Sequence, residues 1–449
     1  MKKRFIYIIA SLLFVFATGF IILKSEIHRI NKQSVPIAIG ISELLSRNAV
    51  ISQMEEWKLV KTKFEAIQKR IKENPSDIKS LLALTSLYIQ EGRASGNLSY
   101  YNEAAMKCVN EILKKDPGNF EGLTFKSMIL LSQHRFDEGL VVARQIQKIN
   151  PYNAFVYGLL VDANVELGNY PAALEAADKM VSIRPDLRSY SRIAYLREIY
   201  GDLTGAINAM KMAVDAGVPG DENTEWCRVQ LAKLYEQAGR IKDAEMHYTI
   251  AGNNRPNYPY AKAGLARIAV AEKNYLKALS LYQQADSLIP DHTFKEGMAE
   301  VYKLTGQPGK AKAIADEILE YMKKLSRNKK TGQNEDHEMA HAYMGVGEYD
   351  KALEYALLEY NRRPGNIEMN ETVATIYAVK GDYAKALPYI NAALKTNCKK
   401  PELLCLAGKI YAKSGDKEKA KLKLQEALKN KPLIAGSLKN ESEAMLKSL

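Results

Sequence analysis

One pattern of apolar and polar positions returns along most of the chain. It consists of a helix that ends in tyrosine, a turn that contains glycine, a second helix that opens near an alanine, and a residue that stops the helix. Within each run of stops the interval is 34 residues. The stops fall in three runs, at Pro117, Pro151, Pro185 and Pro219, at Pro256 and Pro290, and at Pro364, Cys398 and Pro432. The pattern predicts stacked helix pairs rather than separate globular domains.

The residue at which the second helix of each pair crosses the first supports this register. Only a very small side chain lets two helix backbones approach closely at such a crossing. All ten positions are alanine or glycine, namely Ala105, Gly139, Ala173, Ala206, Ala244, Ala278, Ala311, Ala352, Ala386 and Ala420. Unpatterned amphipathic helices would place larger residues at some of them, so an irregular bundle is disfavoured.

The ordered small, aromatic and proline positions within a unit resemble the tetratricopeptide repeat. In the tenth unit these are Leu404, Ala407, Gly408, Tyr411, Gly415, Ala420, Leu424, Ala427 and Pro432. The resemblance implies an all-α fold, an α-solenoid (superhelix) of about ten helix-turn-helix repeats. It also implies a non-enzymatic scaffold that binds a protein or peptide in a concave groove, with no cofactor and no catalytic or metal-binding residues.

The N-terminus predicts export of the repeats. Residues 1–24 combine a basic start with nineteen uncharged residues, Phe5 to Leu23, which is long enough for a transmembrane anchor. A cleaved signal peptide is the alternative, because Ala17, Thr18 and Gly19 form a small-residue cleavage pattern. We expect a single-pass protein of a bacterial inner membrane with its repeats outside the cytoplasm, or a protein secreted to the periplasm.

The rest of the chain divides by departures from the repeat. We predict a juxtamembrane linker and leading helix at 25–75, repeat units 1–7 at 76–323, a flexible link at 324–333, units 8–10 at 334–432 and a capping helix at 433–449. The link is rich in lysine and contains glycine, which suggests a joint between two sub-arrays. Residues 92–101 add about eight residues to the first unit, which we expect to lengthen its turn.

Charge and cysteine content add little to this picture. The chain has a net charge of +12, and residues 399–449 hold twelve lysines against six acidic residues. A solvated basic end is the simpler interpretation, and export argues against a nucleic-acid partner. The four cysteines form no CxxC pair, so we expect free buried thiols, with a Cys398–Cys405 disulfide left open.

The candidate binding residues lie where this repeat family lines its groove. They are Lys233, Arg267, His337, His341 and Glu371. Lys233 and Arg267 would make the middle of the groove basic and suited to an acidic peptide. Residues 337–341 also spell HExxH, with Glu371 as a third ligand, so a zinc peptidase is one alternative. A structural spacer without a groove ligand is the other.

Overall fold

The computed structural model describes residues 40–52, 55–327, 332–430 and 432–449. Over these ranges the chain forms twenty-three α-helices and no β-strand, which confirms the all-α prediction. None of the helices in these ranges is both long enough and apolar enough to cross a membrane. The predicted anchor or signal at residues 1–24 lies outside the described residues.

Two leading helices precede ten helix pairs and a terminal helix. The leading helices are α1 (Ala49–Ser52) and α2 (Glu55–Glu73). The first five pairs are α3 (Ile78–Ser95) with α4 (Leu98–Lys115), α5 (Phe120–Ser132) with α6 (Phe136–Ile149), α7 (Ala154–Glu166) with α8 (Tyr170–Ile183), α9 (Leu187–Ile199) with α10 (Leu203–Asp215), and α11 (Glu222–Gln237) with α12 (Ile241–Asn254).

The second five pairs continue the same alternation. They are α13 (Pro259–Ala271) with α14 (Tyr275–Asp286), α15 (His292–Leu304) with α16 (Pro308–Arg327), α17 (Asp336–Val346) with α18 (Tyr349–Arg362), α19 (Ile367–Val379) with α20 (Tyr383–Ala393), and α21 (Pro401–Lys413) with α22 (Lys417–Leu428). The terminal helix is α23 (Gly436–Ser448). First helices of successive pairs contact one another along much of the array, which places them on the inner, concave side.

Helix pairs are held together at the small crossing residues. Ala105, Ala244 and Ala420 are fully buried, with 0% of their surface exposed. At Gly139 an added Cβ would lie 2.6 Å from the side chain of Leu131, closer than real carbon atoms approach. A side chain at this position would require Leu131 to shift, which agrees with the predicted register, and the α-solenoid is confirmed.

Chain direction reverses between the paired helices at left-handed glycines. Gly168, Gly347 and Gly381 have φ values of 75°, 84° and 80°. Glycine adopts this conformation without the steric cost that a Cβ brings. These are the turn glycines that the sequence pattern predicts.

Successive turns of the superhelix touch each other directly. Glu166 and Arg363, which form an ion pair, are 197 residues apart, which is nearly six repeats. Beside them the amide Nδ2 of Asn366 donates to the carbonyl of Glu166 over 2.9 Å. We call this contact the inter-turn seam; it joins residues 133–136, 165–170 and 201 to residues 332–336, 363–367 and 397.

Close backbone approach and shared apolar packing close the seam. An added Cβ on Gly168 would lie 2.0 Å from the carbonyl carbon of Gly365. The backbone N–H of Ile367 donates to the hydroxyl of Tyr170 over 2.9 Å. One apolar cluster contains side chains from α7 and α8 together with side chains from α19 to α22. The inner face therefore lies inside a coil with contacting turns, not along a widely open groove.

The predicted link at 324–333 differs from the structure. Helix α16 continues through Arg327, and residues 328–331 lie outside the described residues. Met322 of α16 packs in one apolar cluster with Met339 and Tyr343 of α17, so units 7 and 8 stack without a break in their core. The lysine-rich run predicts a joint, but it contains no proline that would stop α16, and Leu325 of α16 packs against the same apolar cluster.

The extra residues of the first unit also differ from the expectation. They lengthen both helices instead of the turn, because α3 continues to Ser95 and α4 begins at Leu98. Gly96, with φ 75°, ends α3. Buried Glu91, directly before the extra residues, accepts hydrogen bonds from Arg47 at 2.7 and 2.6 Å, which anchors the segment before α1 to the array.

All four cysteines are free and buried. Burial raises the pKa of the Cys398 thiol to about 11, so this thiol is protonated at neutral pH. The pairing of Cys398 with Cys405 that the sequence left open is absent from these described positions.

Candidate functional site

The five predicted groove residues all lie on first helices of the repeats. Lys233 belongs to α11, Arg267 to α13, His337 and His341 to α17, and Glu371 to α19. Since the contacts between successive first helices place these helices on the concave side, all five residues belong to helices of the inner face. The structure divides them into two groups, one around Arg267 and one around the two histidines.

Arg267 is already occupied by partners within the protein. Its Nε and Nη2 atoms each lie 3.1 Å from a carboxylate oxygen of Glu236, and Nη2 also donates to the Tyr248 hydroxyl over 2.7 Å. That hydroxyl donates to Glu236 over 2.5 Å. Burial alone would lower the pKa of the Arg267 guanidinium, but Glu236, Tyr248 and Tyr282 together raise it above its ordinary value. This guanidinium is not free to bind the carboxylate of a ligand.

Lys233 is exposed to solvent and yet surrounded by protein, because it stands on the concave side. Two causes lower the pKa of its ammonium group. The larger cause is the enclosed position, and the smaller cause is the nearby positive charge of Arg267. Glu236 and Glu198 oppose that shift. The expected basic middle of the groove therefore contains carboxylates as well as cations.

His337 and His341 contact each other one helical turn apart. Their Nε2 atoms are separated by 3.1 Å, so one ring donates a proton and the other accepts it. The hydroxyl of Thr372 lies 3.2 Å from the Nε2 of His337. Burial lowers the pKa of His337 to about 2 and that of His341 to about 4, so both rings are neutral at pH 7. We call these two residues the histidine pair.

The remaining members of the HExxH stretch do not complete a metal site. Glu338 points away from the histidine pair, and its Oε1 lies 3.5 Å from Nδ1 of His134 across the inter-turn seam. Glu371 approaches Lys400, with 4.0 Å between its Oε2 and the lysine Nζ. Among the residues that the structure describes, no group of three histidine, cysteine or acidic side chains is arranged to hold a metal ion. The zinc alternative therefore lacks a third ligand over those residues.

Sequence reasoning missed several carboxylates of the inner face. Glu198 and Glu402 lie on α9 and α21, and burial raises the pKa of each. Glu402 is near both Lys400 and Arg267, although it comes from a later turn of the superhelix than Arg267. The register predicts which helix face each residue occupies. It does not predict that α21 returns to face units more than a hundred residues earlier in the chain.

Comparison with known proteins supports the interpretation of the repeat. A family model described as tetratricopeptide repeat matches residues 229–292, 337–400 and 374–433. Comparison with curated proteins gives no match. The second and third matched segments overlap, and each of the three segments begins within a first helix.

Several solved structures are similar to this chain at low sequence identity. A tetratricopeptide repeat protein from Parabacteroides merdae is 20% identical, with a TM-score of 0.34 over 58% of this chain and 97% of its own. The human IFIT1 dimer with m7Gppp-AAAA is 14% identical, with a TM-score of 0.48 over 75% and 77%. The Cut9–Hcn1 complex of the APC/C is 15% identical, with a TM-score of 0.45 over 77% and 66%. The likeness of the repeats to the tetratricopeptide repeat therefore depends on the repeat register and on the family model.

Proposed function

Because the chain belongs to the tetratricopeptide repeat superfamily, we propose that it is a non-enzymatic scaffold that binds a protein or peptide segment on the inner face of its superhelix. The observation that carries this proposal is the composition of that face. Its first helices display polar and aromatic side chains that solvent reaches, such as Tyr195, which is 38% exposed. An exposed aromatic side chain with a polar end is a common anchor for a protein partner.

The tether and the compartment form the second part of the proposal. The basic start and the nineteen uncharged residues of the N-terminus support a bacterial inner-membrane protein whose repeats lie outside the cytoplasm, with secretion to the periplasm as the alternative. In that compartment the scaffold would serve envelope assembly, secretion or polymer handling. Fractionation of cells that produce the full chain tests this, since an array recovered with the cytoplasm would contradict it.

Site-specific crosslinking tests the scaffold itself. A photo-crosslinking phenylalanine analogue replaces Tyr195 on the inner face, and the same analogue replaces Leu276 or Leu422 on second helices as controls. Leu276 and Leu422 are 84% and 62% exposed, so they are at least as accessible as Tyr195. We expect a discrete crosslinked protein from the inner position. Crosslinks from the second-helix positions alone would favour the spacer alternative.

The zinc-peptidase alternative has its own test. Purified full-length protein is analysed for bound metal, beside a His337→Ala variant. We expect less than stoichiometric zinc in both, because over the described residues no third histidine, cysteine or acidic side chain is arranged with the histidine pair to hold a metal ion. Stoichiometric zinc that is lost in the variant would overturn the non-enzymatic proposal.

A further inference from the structure

A second concave surface lies at the start of the array. Helix α2 stands opposite the first helices of units 1–3, and a cavity of about 1050 Å³ opens between them. The cavity continues to residues 220–223 at the start of α11 and to Arg255 after α12. We call it the N-terminal cleft. Its volume is at the upper end of the range of small-molecule pockets and suits several side chains of a protein segment.

Apolar side chains form the floor of the N-terminal cleft. Phe125 and Met128 of α5 and Phe155 of α7 are only partly buried, and they face Ile67 and Leu59 of α2. Leu59 is 54% exposed. A soluble protein leaves such a contiguous apolar surface uncovered mainly where another molecule binds.

The carboxylates of the N-terminal cleft are engaged within the protein. Glu91 and Glu56 both accept from Arg47, with distances of 2.6 to 3.1 Å, and Glu56 also accepts from Arg255 over 3.1 Å. Glu222 accepts from Arg93 over 3.1 Å. The remaining carboxylate, Asp221, caps α11.

Three cationic side chains of the N-terminal cleft are not paired with a carboxylate among the described residues. Over the described parts of the chain, Lys63 and Arg70 of α2 and Arg188 of α9 form no ion pair with a carboxylate. All three side chains are exposed. The guanidinium of Arg188 lies over the ring of Phe155, 5.3 Å from its centre, which joins one free charge to the apolar floor.

We propose that the N-terminal cleft docks a protein segment whose apolar side chains are flanked by carboxylates. The apolar groups would cover Phe125, Met128 and Phe155, and the carboxylates would pair with Lys63, Arg70 and Arg188. A cleft between two helical walls fits a narrow chain and not a flat bilayer, so a protein segment is favoured over an anionic membrane. This inference rests on the proposed scaffold function and names its partner chemistry.

Binding of a synthetic peptide tests the proposal directly. The probe is a short fluorescein-labelled peptide that carries leucine and phenylalanine flanked by glutamate, and its counterpart replaces every glutamate by lysine. Fluorescence anisotropy with full-length protein in detergent measures both. We expect binding of the acidic peptide, and weakening of roughly tenfold or more for the basic one, with strong dependence on salt.

Charge reversal locates the bound peptide. The variant Lys63→Glu, Arg70→Glu, Arg188→Glu should weaken binding of the acidic peptide roughly tenfold or more. The matched control, Lys69→Glu, Lys72→Glu, Lys179→Glu, changes the net charge equally at exposed lysines outside the cleft lining. It should change binding by less than about twofold. Phe125→Ala should weaken binding without any change of charge, and circular dichroism verifies that each variant is folded.

Three outcomes would overturn the inference. Equal weakening by the two triple variants would assign binding to net charge alone. Equal binding of the acidic and basic peptides would remove the electrostatic argument. Failure of both peptides to bind, with vesicles containing phosphatidylglycerol bound by wild type and not by the cleft variant, would make the cleft a membrane contact. A partner crosslinked from Tyr195 in the same full-length protein would leave the scaffold function intact in each case.

Discussion

The inner face around Arg267 and the N-terminal cleft are both lined by first helices of repeats, but they differ in which charged groups already have a partner within the protein. A cation is occupied on the inner face, whereas the carboxylates are occupied in the cleft. On the inner face Glu236 holds Arg267. In the N-terminal cleft the arginines hold the glutamates, and Lys63 and Arg70 of α2 are added as free cations. The position of a charged residue on a first helix therefore predicts where the charge lies. Whether the charge is available to a ligand depends on the side chains that surround it.

The two regions also differ in how far other parts of the protein surround them. The inter-turn seam brings later repeats against earlier ones and surrounds the inner face. The N-terminal cleft has α2 as its second wall, and α2 packs mainly on α3 through Phe64 and Ile71. We therefore expect substitutions in the seam and the inner face to change stability, and substitutions in the cleft to change binding.

Breaking the seam at Gly168 should have the largest effect on stability. In Gly168→Ala the new Cβ would meet the carbonyl group of Gly365, and alanine would be strained at φ 75°. We expect the free energy of unfolding to fall by roughly 3–5 kcal/mol, from overpacking and backbone strain together. Urea denaturation followed by circular dichroism measures it.

Gly381→Ala is the matched control for the seam. Gly381 has φ 80° and no atom within 4 Å of an added Cβ. Only the backbone strain remains, so the loss should be about 1–2 kcal/mol. Equal losses in the two variants would show that the seam contributes nothing to stability.

Removal of a paired cation should cost more than removal of a free one. Arg267→Ala leaves the carboxylate of Glu236, whose side chain is 9% exposed, without its partner. We expect a loss of roughly 2–3 kcal/mol, reduced from the value for a fully buried pair because Arg267 is 32% exposed. Lys63→Ala in the N-terminal cleft should stay within about 0.5 kcal/mol of wild type. Similar losses in the same denaturation assay would contradict the contrast between the regions.

Protonation of the histidine pair on acidification should produce a smaller effect. The pKa of His341 is about 4 in the folded chain, below its ordinary 6.5, because burial disfavours the charged ring. The unfolded chain therefore binds the proton first as pH falls below 6.5, and this contribution to stability declines until the folded chain is protonated near pH 4. The difference between 6.5 and 4 corresponds to about 3.4 kcal/mol, and we expect roughly 2 kcal/mol to be lost over that window because solvent reaches the half-buried His341.

Stability measured from pH 7 to pH 4 in wild type and His341→Gln tests this effect. The difference between the two proteins should shift in favour of the variant as the pH falls, because glutamine does not titrate. The Lys63→Ala variant should keep the wild-type pH dependence. A constant difference between wild type and His341→Gln would mean that the His341 pKa is not lowered by folding.

The sequence predicts which helices carry the candidate site residues, but not which side chains pair with them. Helical spacing and the family register were enough to place five residues on first helices, and the structure has all five on such helices, namely Lys233, Arg267, His337, His341 and Glu371. Pairing was not predictable, since Tyr248 and Glu236 meet Arg267 only after α11, α12 and α13 pack. Lys63, Arg70 and Arg188 carry no motif, because the cleft forms only when α2 stands opposite the array.

The repeat, its register and the small crossing residues can be predicted from the sequence, because they depend on contacts within one helix pair or between neighbours. The tightness of the coil becomes visible only once all the pairs are stacked. The small rotation between neighbouring repeats accumulates over nearly six units before Glu166 meets Arg363. The pattern within one repeat does not predict this total rotation. That coiling encloses the inner face, while the packing of α2 on α3 leaves the N-terminal cleft and its free cations open to a partner.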